Sequence, residues 1–115
     1  MLIKSSMMET QVRENMRGGG GAAKLLHIVP KENLPQKMRL FSIITLEEGC
    51  GIGKHEHAAE TEVYYVLEGE GILDDNGTEI LFKKGDCNIC GGGDYHSVRN
   101  EKKEPLRLIA AIVLD

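Results

Sequence analysis

The chain has 115 residues, of which 41% are hydrophobic and 28% charged, with a formal net charge of −4. That length suits one domain with an apolar core and is too short for two. The acidic balance argues against a nucleic-acid partner, because phosphate binding needs a concentrated basic surface. No apolar run is long enough to span a bilayer, and the opening Met1-Leu2-Ile3-Lys4-Ser5 lacks the apolar core of a signal peptide, so a cytoplasmic protein without a membrane partner is expected. The three cysteines, Cys50, Cys87 and Cys90, are odd in number and show no framework spacing, which reads as free thiols.

In chain order, residues 1–17 form a polar, methionine-rich arm with no clear period, open to a short helix, an extended strand or partial disorder. Gly18 to Gly21 separate this arm from a domain over residues 22–115. The single Arg17-Gly18-Gly19 triplet is far short of an RNA-binding array. Lys24 to Val29 is compatible with a strand, and the polar stretch from Pro30 to Lys37, with two prolines, reads as a loop. Met38 to Leu46 and Glu62 to Leu67 are β-branched and aromatic enough to be strands. Glu70 to Leu73 and Thr78 to Phe82 flank Asp74-Asp75-Asn76-Gly77, and Asn-Gly supplies the positive φ angles of a tight hairpin turn. Short strands follow from Gly85 through Cys90, over Tyr95 to Arg99, and over Leu106 to Leu114. No segment beyond Gly21 keeps a helical period, and many short strands between turn signals indicate an all-β sandwich or barrel.

Of the four histidines, three fall in two short windows. His55 and His57 are two apart, so on an extended backbone both point to one face and can serve a single ion. Glu62 lies an odd number of residues further on, which calls for a bend within Ala58 to Thr61; spacing alone does not separate Glu62 from Glu60 as the carboxylate. His96 lies in a later strand and can approach from a neighbouring position. Three imidazoles and one carboxylate suit Mn, Fe, Co, Ni, Cu or Zn and suit Ca²⁺ or Mg²⁺ poorly.

The segment from Gly49 through His55-Glu56-His57 and Glu62 to Gly69 resembles the first cupin motif, with every fixed position present. Gly85, Gly93, His96 and Asn100 resemble the second motif, with Gly91 where the family usually has proline. The two motifs and the stretch between them cover nearly half the chain. The resemblance implies a single-domain cupin, a double-stranded β-helix or jelly-roll barrel preceded by the N-terminal arm. It implies one divalent transition metal held by His55, His57, Glu62 and His96, and it selects Glu62 over Glu60.

Such proteins include dioxygenases, isomerases, decarboxylases and non-catalytic binders. A small metalloenzyme acting on a small organic acid or a sugar-like molecule is the leading expectation, and a sensor or storage module that binds metal or ligand is the alternative. Tyr64 and Val66 share the parity of Glu62 and are pocket candidates. Arg39 is a third, able to hold a substrate carboxylate if its face of the Met38 to Leu46 strand looks inward, which parity leaves open. Cys87 and Cys90, three apart on a strand, face opposite sides and are poor partners for one ion or one disulfide. His27, alone in an apolar strand, receives no role. Exposed strand edges and the apolar residues of the arm point to a homodimer with the arm in its interface.

Overall fold

The computed structural model describes residues 1–115. Ten strands and three single-turn 3₁₀ segments make up the fold, with no α-helix. The strands are β1 (Glu9–Glu14), β2 (Ala22–His27), β3 (Met38–Leu46), β4 (Gly51–Glu56), β5 (Glu60–Glu68), β6 (Glu70–Asp75), β7 (Thr78–Lys83), β8 (Cys87–Gly91), β9 (Tyr95–Arg99) and β10 (Leu106–Leu114). They form a six-stranded sheet ordered β1-β2-β3-β10-β5-β8 and a four-stranded sheet ordered β4-β9-β6-β7. Every pairing is antiparallel. The two sheets close face to face into a jelly roll, the barrel that the two motifs imply.

Alternation along the central strands decides what fills the space between the sheets. Leu40, Ser42, Ile44 and Leu46 of β3 are buried, as are Leu106, Leu108, Ala110 and Ile112 of β10. Ile52, Leu73, Phe82 and Val98 meet them from the smaller sheet. Each buried Leu, Ile, Val or Phe side chain contributes about 1.5–3 kcal/mol by leaving water. Phe41 and Ile43 therefore face outward, which fixes the orientation that parity left open. At Asn76 and Gly77, φ is 50° and 94°, the paired positive values the β6–β7 hairpin requires.

The arm adds to the sheet of its own chain. Residues Glu9 to Glu14 pair along their length with Ala22 to His27. The four glycines make a packed turn: Asn15 N–H donates to the Gly21 carbonyl at 2.8 Å and Gly51 N–H to that of Gly20 at 2.9 Å. Gly53 shows why side chains are excluded there, since a Cβ on it would meet the Arg17 carbonyl oxygen at 2.0 Å. β1 is polar because, as an edge strand, it buries almost nothing.

Asn100, at the end of the second motif, pins three segments together. Its side-chain amide donates to the carbonyls of Leu46 at 2.9 Å and Glu104 at 2.8 Å and accepts from Lys102 N–H at 2.8 Å. The residue is 1% exposed, so water cannot replace these bonds. Asn100→Ala is expected to lower unfolding free energy by roughly 2–4 kcal/mol in urea titration, because it strands buried carbonyls; a loss below about 0.5 kcal/mol would show that the bonds contribute nothing net.

Candidate metal centre

His55 near the end of β4 and His96 on β9 are direct cross-strand partners. His57 lies just past β4 and is tied by its backbone to the turn before β9, with N–H to the Asp94 carbonyl at 3.0 Å and its own carbonyl accepting from Gly93 at 2.9 Å. The chain then bends at Ala59, whose φ is 57°, and crosses to the other sheet, where Glu62 faces inward from β5. That is the bend the spacing requires between His57 and Glu62. One ligand atom from each of the four residues lies within 4.8 Å of the others.

The orientation of each ring follows from what its Nδ1 touches. His55 Nδ1–H donates to the Gly53 carbonyl at 2.7 Å. His57 Nδ1–H donates to Glu60 Oε2 at 2.5 Å, and His96 Nδ1–H to Asn88 Oδ1 at 2.7 Å. Each partner is an acceptor, which puts the proton on Nδ1 and leaves Nε2 as a lone pair. All three Nε2 atoms turn to one point. His96 Nε2 is 3.0 Å from that of His55 and 3.2 Å from that of His57. Glu62 Oε1 lies 2.9, 3.0 and 3.4 Å from the Nε2 atoms of His57, His96 and His55.

Lone pairs and a carboxylate packed this closely repel one another unless a proton or a metal ion sits among them. Donors held about 2.0–2.2 Å from one transition-metal ion stand roughly 3–3.5 Å apart in octahedral or tetrahedral arrangements, which matches the spacing here. The donor chemistry and the geometry both fit such an ion.

Burial alone would raise the Glu62 pKa, but the three imidazoles outweigh it and hold the carboxyl well below its usual range. Burial lowers that of His96, favouring the neutral ring a metal ligand needs. The bond from Glu62 raises that of His57, against desolvation. Glu60 is held down to about 2, first by Arg39 and then by His57.

The remaining expected residues divide. Tyr64 is buried and stacks on His96, with centroids 4.6 Å apart and planes 4° from parallel. Burial, together with the charge of Glu62, pushes its hydroxyl well above the usual pKa. Val66 is wholly buried in the hydrophobic core. Arg39 shares the outward side of β3 with Phe41 and Ile43, and its Nε and Nη2 each donate to Glu60 at 2.7 Å. Cys87 is exposed and Cys90 buried, on opposite faces of β8. His27 bonds Ser42 Oγ at 2.8 Å and Gln11 Oε1 at 2.9 Å, a structural pairing. At Gly91 a Cβ would meet Thr61 Oγ1 at 2.3 Å, which gives a reason for glycine at that position.

The supporting acceptors Asn88 and Glu60 were not assigned that role from sequence. Parity could have found Asn88, since it shares the inward side of β8 with Cys90 and pairs in register with Tyr64.

The cupin-domain family model matches residues 42–112, and the chain belongs to the cupin family. A curated relative from Thermotoga maritima, named an oxalate-binding protein, is 38% identical over 99% of this chain and 94% of its own length. A crystal structure from Thermotoga maritima, described as a predicted oxalate decarboxylase, superposes with a TM-score of 0.92 at 37% identity, covering 100% of both chains. A solved protein from Thermus thermophilus shares the fold at TM-score 0.64 and 28% identity, over 71% of this chain and 78% of that one.

Metal analysis of purified variants tests the arrangement. Glu62→Gln should lose most of the metal, while Glu60→Gln, whose amide oxygen still accepts from His57, should keep it at saturating metal. Asn88→Leu should weaken affinity by about 10- to 100-fold through loss of the His96 anchor. Equal metal content and affinity in Glu62→Gln and the parent would remove Glu62 from the ligand set.

Proposed function

We propose that His55, His57, Glu62 and His96 hold one divalent transition metal and that the loaded site binds a small dicarboxylate of the oxalate class. The observation that carries this reading is the charge and donor balance of the centre. Three neutral imidazoles and one carboxylate leave a bound divalent ion with net positive charge, and four protein ligands leave coordination positions free on an ion that prefers six. The ion supplies a Lewis-acidic, positively charged seat for a chelating anion. Leu40 and Ile112 stand beside Glu62 in the cross-strand row of the larger sheet and give the site an apolar wall. The name of the Thermotoga maritima relative points the same way.

Binding rather than turnover is the better-supported half of this reading. Proton transfer at neutral pH needs a group that titrates near 7. Glu60 is locked between Arg39 and His57 with its pKa at about 2, and Tyr64 is a buried phenol held neutral. Neither is suited to exchange a proton with a bound acid. The second reading, a metalloenzyme acting on such an acid, is favoured by the description of the solved relative.

Calorimetric titration of oxalate into metal-loaded protein should give one site per chain, and the metal-free protein should bind at least about tenfold more weakly. Succinate, which forms a larger and weaker chelate ring, should bind less tightly than oxalate. Oxalate binding that is indifferent to metal would sink the reading. Release of carbon dioxide and formate under the same conditions would move it to the enzyme.

A further inference from the structure

The turn that carries the arm into β2 holds a side chain that the metal centre does not account for. Its backbone takes left-handed angles at Asn15, Arg17, Gly18 and Gly21. Glycine adopts them freely and asparagine is tolerated there, but a long side chain is disfavoured. Arg17, at φ 54° and ψ 27°, is the strained member of a turn otherwise furnished with four glycines. Nothing in the turn itself calls for an arginine at that position, and backbone strain of this kind collects at ligand sites.

The same turn brings Arg17 to the border of the metal centre. Residues 16–20 lie along the free edge of β4, with Gly51 N–H donating to the Gly20 carbonyl at 2.9 Å. A Cβ on Gly53 would collide with the Arg17 carbonyl, and one on Gly19 with that of Gly51, so backbone packs directly on backbone. Gly53 is the residue whose carbonyl receives His55 Nδ1–H. Arg17 thus abuts the residue that anchors a ligand ring. Its side chain is exposed, yet its charge is felt inside the barrel. Burial and the charge of Glu62 push the Tyr64 phenol up, and the charge of Arg17 acts on it in the opposite sense.

We infer that Arg17 is the arm's contribution to ligand recognition, its guanidinium receiving a carboxylate of the anion seated on the metal. This deepens the dicarboxylate reading and rests on it. A divalent ion facing both Glu62 and a bound dianion leaves one negative charge unmatched, and a partly buried charge without a partner is costly. One arginine supplies the missing positive charge. Its planar fork also meets a carboxylate through two parallel hydrogen bonds. The other nearby cations are engaged. Arg39 pairs with Glu60, Arg99 with Glu79 and Arg107 with Glu68. Lys54 lies over the Tyr95 ring at 4.3 Å, and Arg13 donates to Gln11.

Arg17→Gly separates recognition from structure, because glycine accepts the left-handed angles that arginine resists. Calorimetric titration of oxalate into the metal-loaded variant should show affinity reduced by about 10- to 100-fold, the loss expected for a charge-assisted pair. Metal content and metal affinity should equal the parent's, and the thermal midpoint of the metal-free variant should match or exceed it. Arg17→Lys keeps the charge without the fork and should fall between the two. Should five consecutive glycines loosen the turn, Arg17→Asn, equally tolerated at these angles, gives the decisive reading. Oxalate affinity in the folded variants within about threefold of the parent overturns the inference and leaves the metal-dependent binding standing. A fall in metal affinity that matches the fall in oxalate affinity in both the Gly and Asn variants overturns it too, since Arg17 then supports the centre rather than the ligand. A metal-loaded parent that binds no oxalate overturns this inference together with the dicarboxylate reading.

Discussion

An imidazole offers a lone pair on one nitrogen only when the other is made to donate, and the centre of this barrel is built on that constraint. Gly53, Glu60 and Asn88 each present an acceptor to one Nδ1, so three Nε2 atoms are left facing Glu62. The three acceptors come from different places: a backbone carbonyl two residues back, a carboxylate after the bend, and an amide on the opposite sheet. The site therefore assembles only when β4, β5, β8 and β9 are all in register, which ties metal affinity to the integrity of the whole barrel.

The same arrangement explains the extended polar chain around the centre. Arg39 neutralises Glu60, Glu60 orients His57, and His57 meets Glu62. Without Arg39, the Glu60 carboxylate would add unmatched negative charge beside His57 and Glu62. Tyr64, flat against His96, closes the inner side and keeps the ring from tilting. Of the two residues whose parity marks them as pocket lining, Tyr64 thus supports a ligand ring and Val66 belongs to the apolar core behind it.

Much of this was legible in the sequence, for definite reasons. A histidine pair, a carboxylate and a distant histidine must sit at fixed spacing when two strands and a bend deliver them to one point, so His55, His57, Glu62 and His96 carry a readable signal. The strands Met38 to Leu46, Tyr95 to Arg99 and Leu106 to Leu114 were bounded by turn residues and matched the structure to the residue. β1 was not legible, because an edge strand that buries almost nothing has no apolar alternation to detect. The inward side of β3 was hidden for the opposite reason: Phe41 and Ile43 are as apolar as Leu40 and Ile44, so parity had two acceptable solutions. That ambiguity is the one-dimensional trace of a sheet apolar on both faces. Asn88 was obscured by its place between Cys87 and Cys90, where the cysteine spacing draws attention to thiols that face opposite ways.

The most direct measurement of the central claim is X-ray absorption at the metal edge of the loaded protein in solution. The account predicts a nearest shell of nitrogen and oxygen only, at about 2.0–2.2 Å, with the multiple scattering of three imidazole rings. A shell containing sulfur at about 2.3 Å, or one with no more than a single imidazole, would contradict it and place the ion somewhere other than among His55, His57, Glu62 and His96.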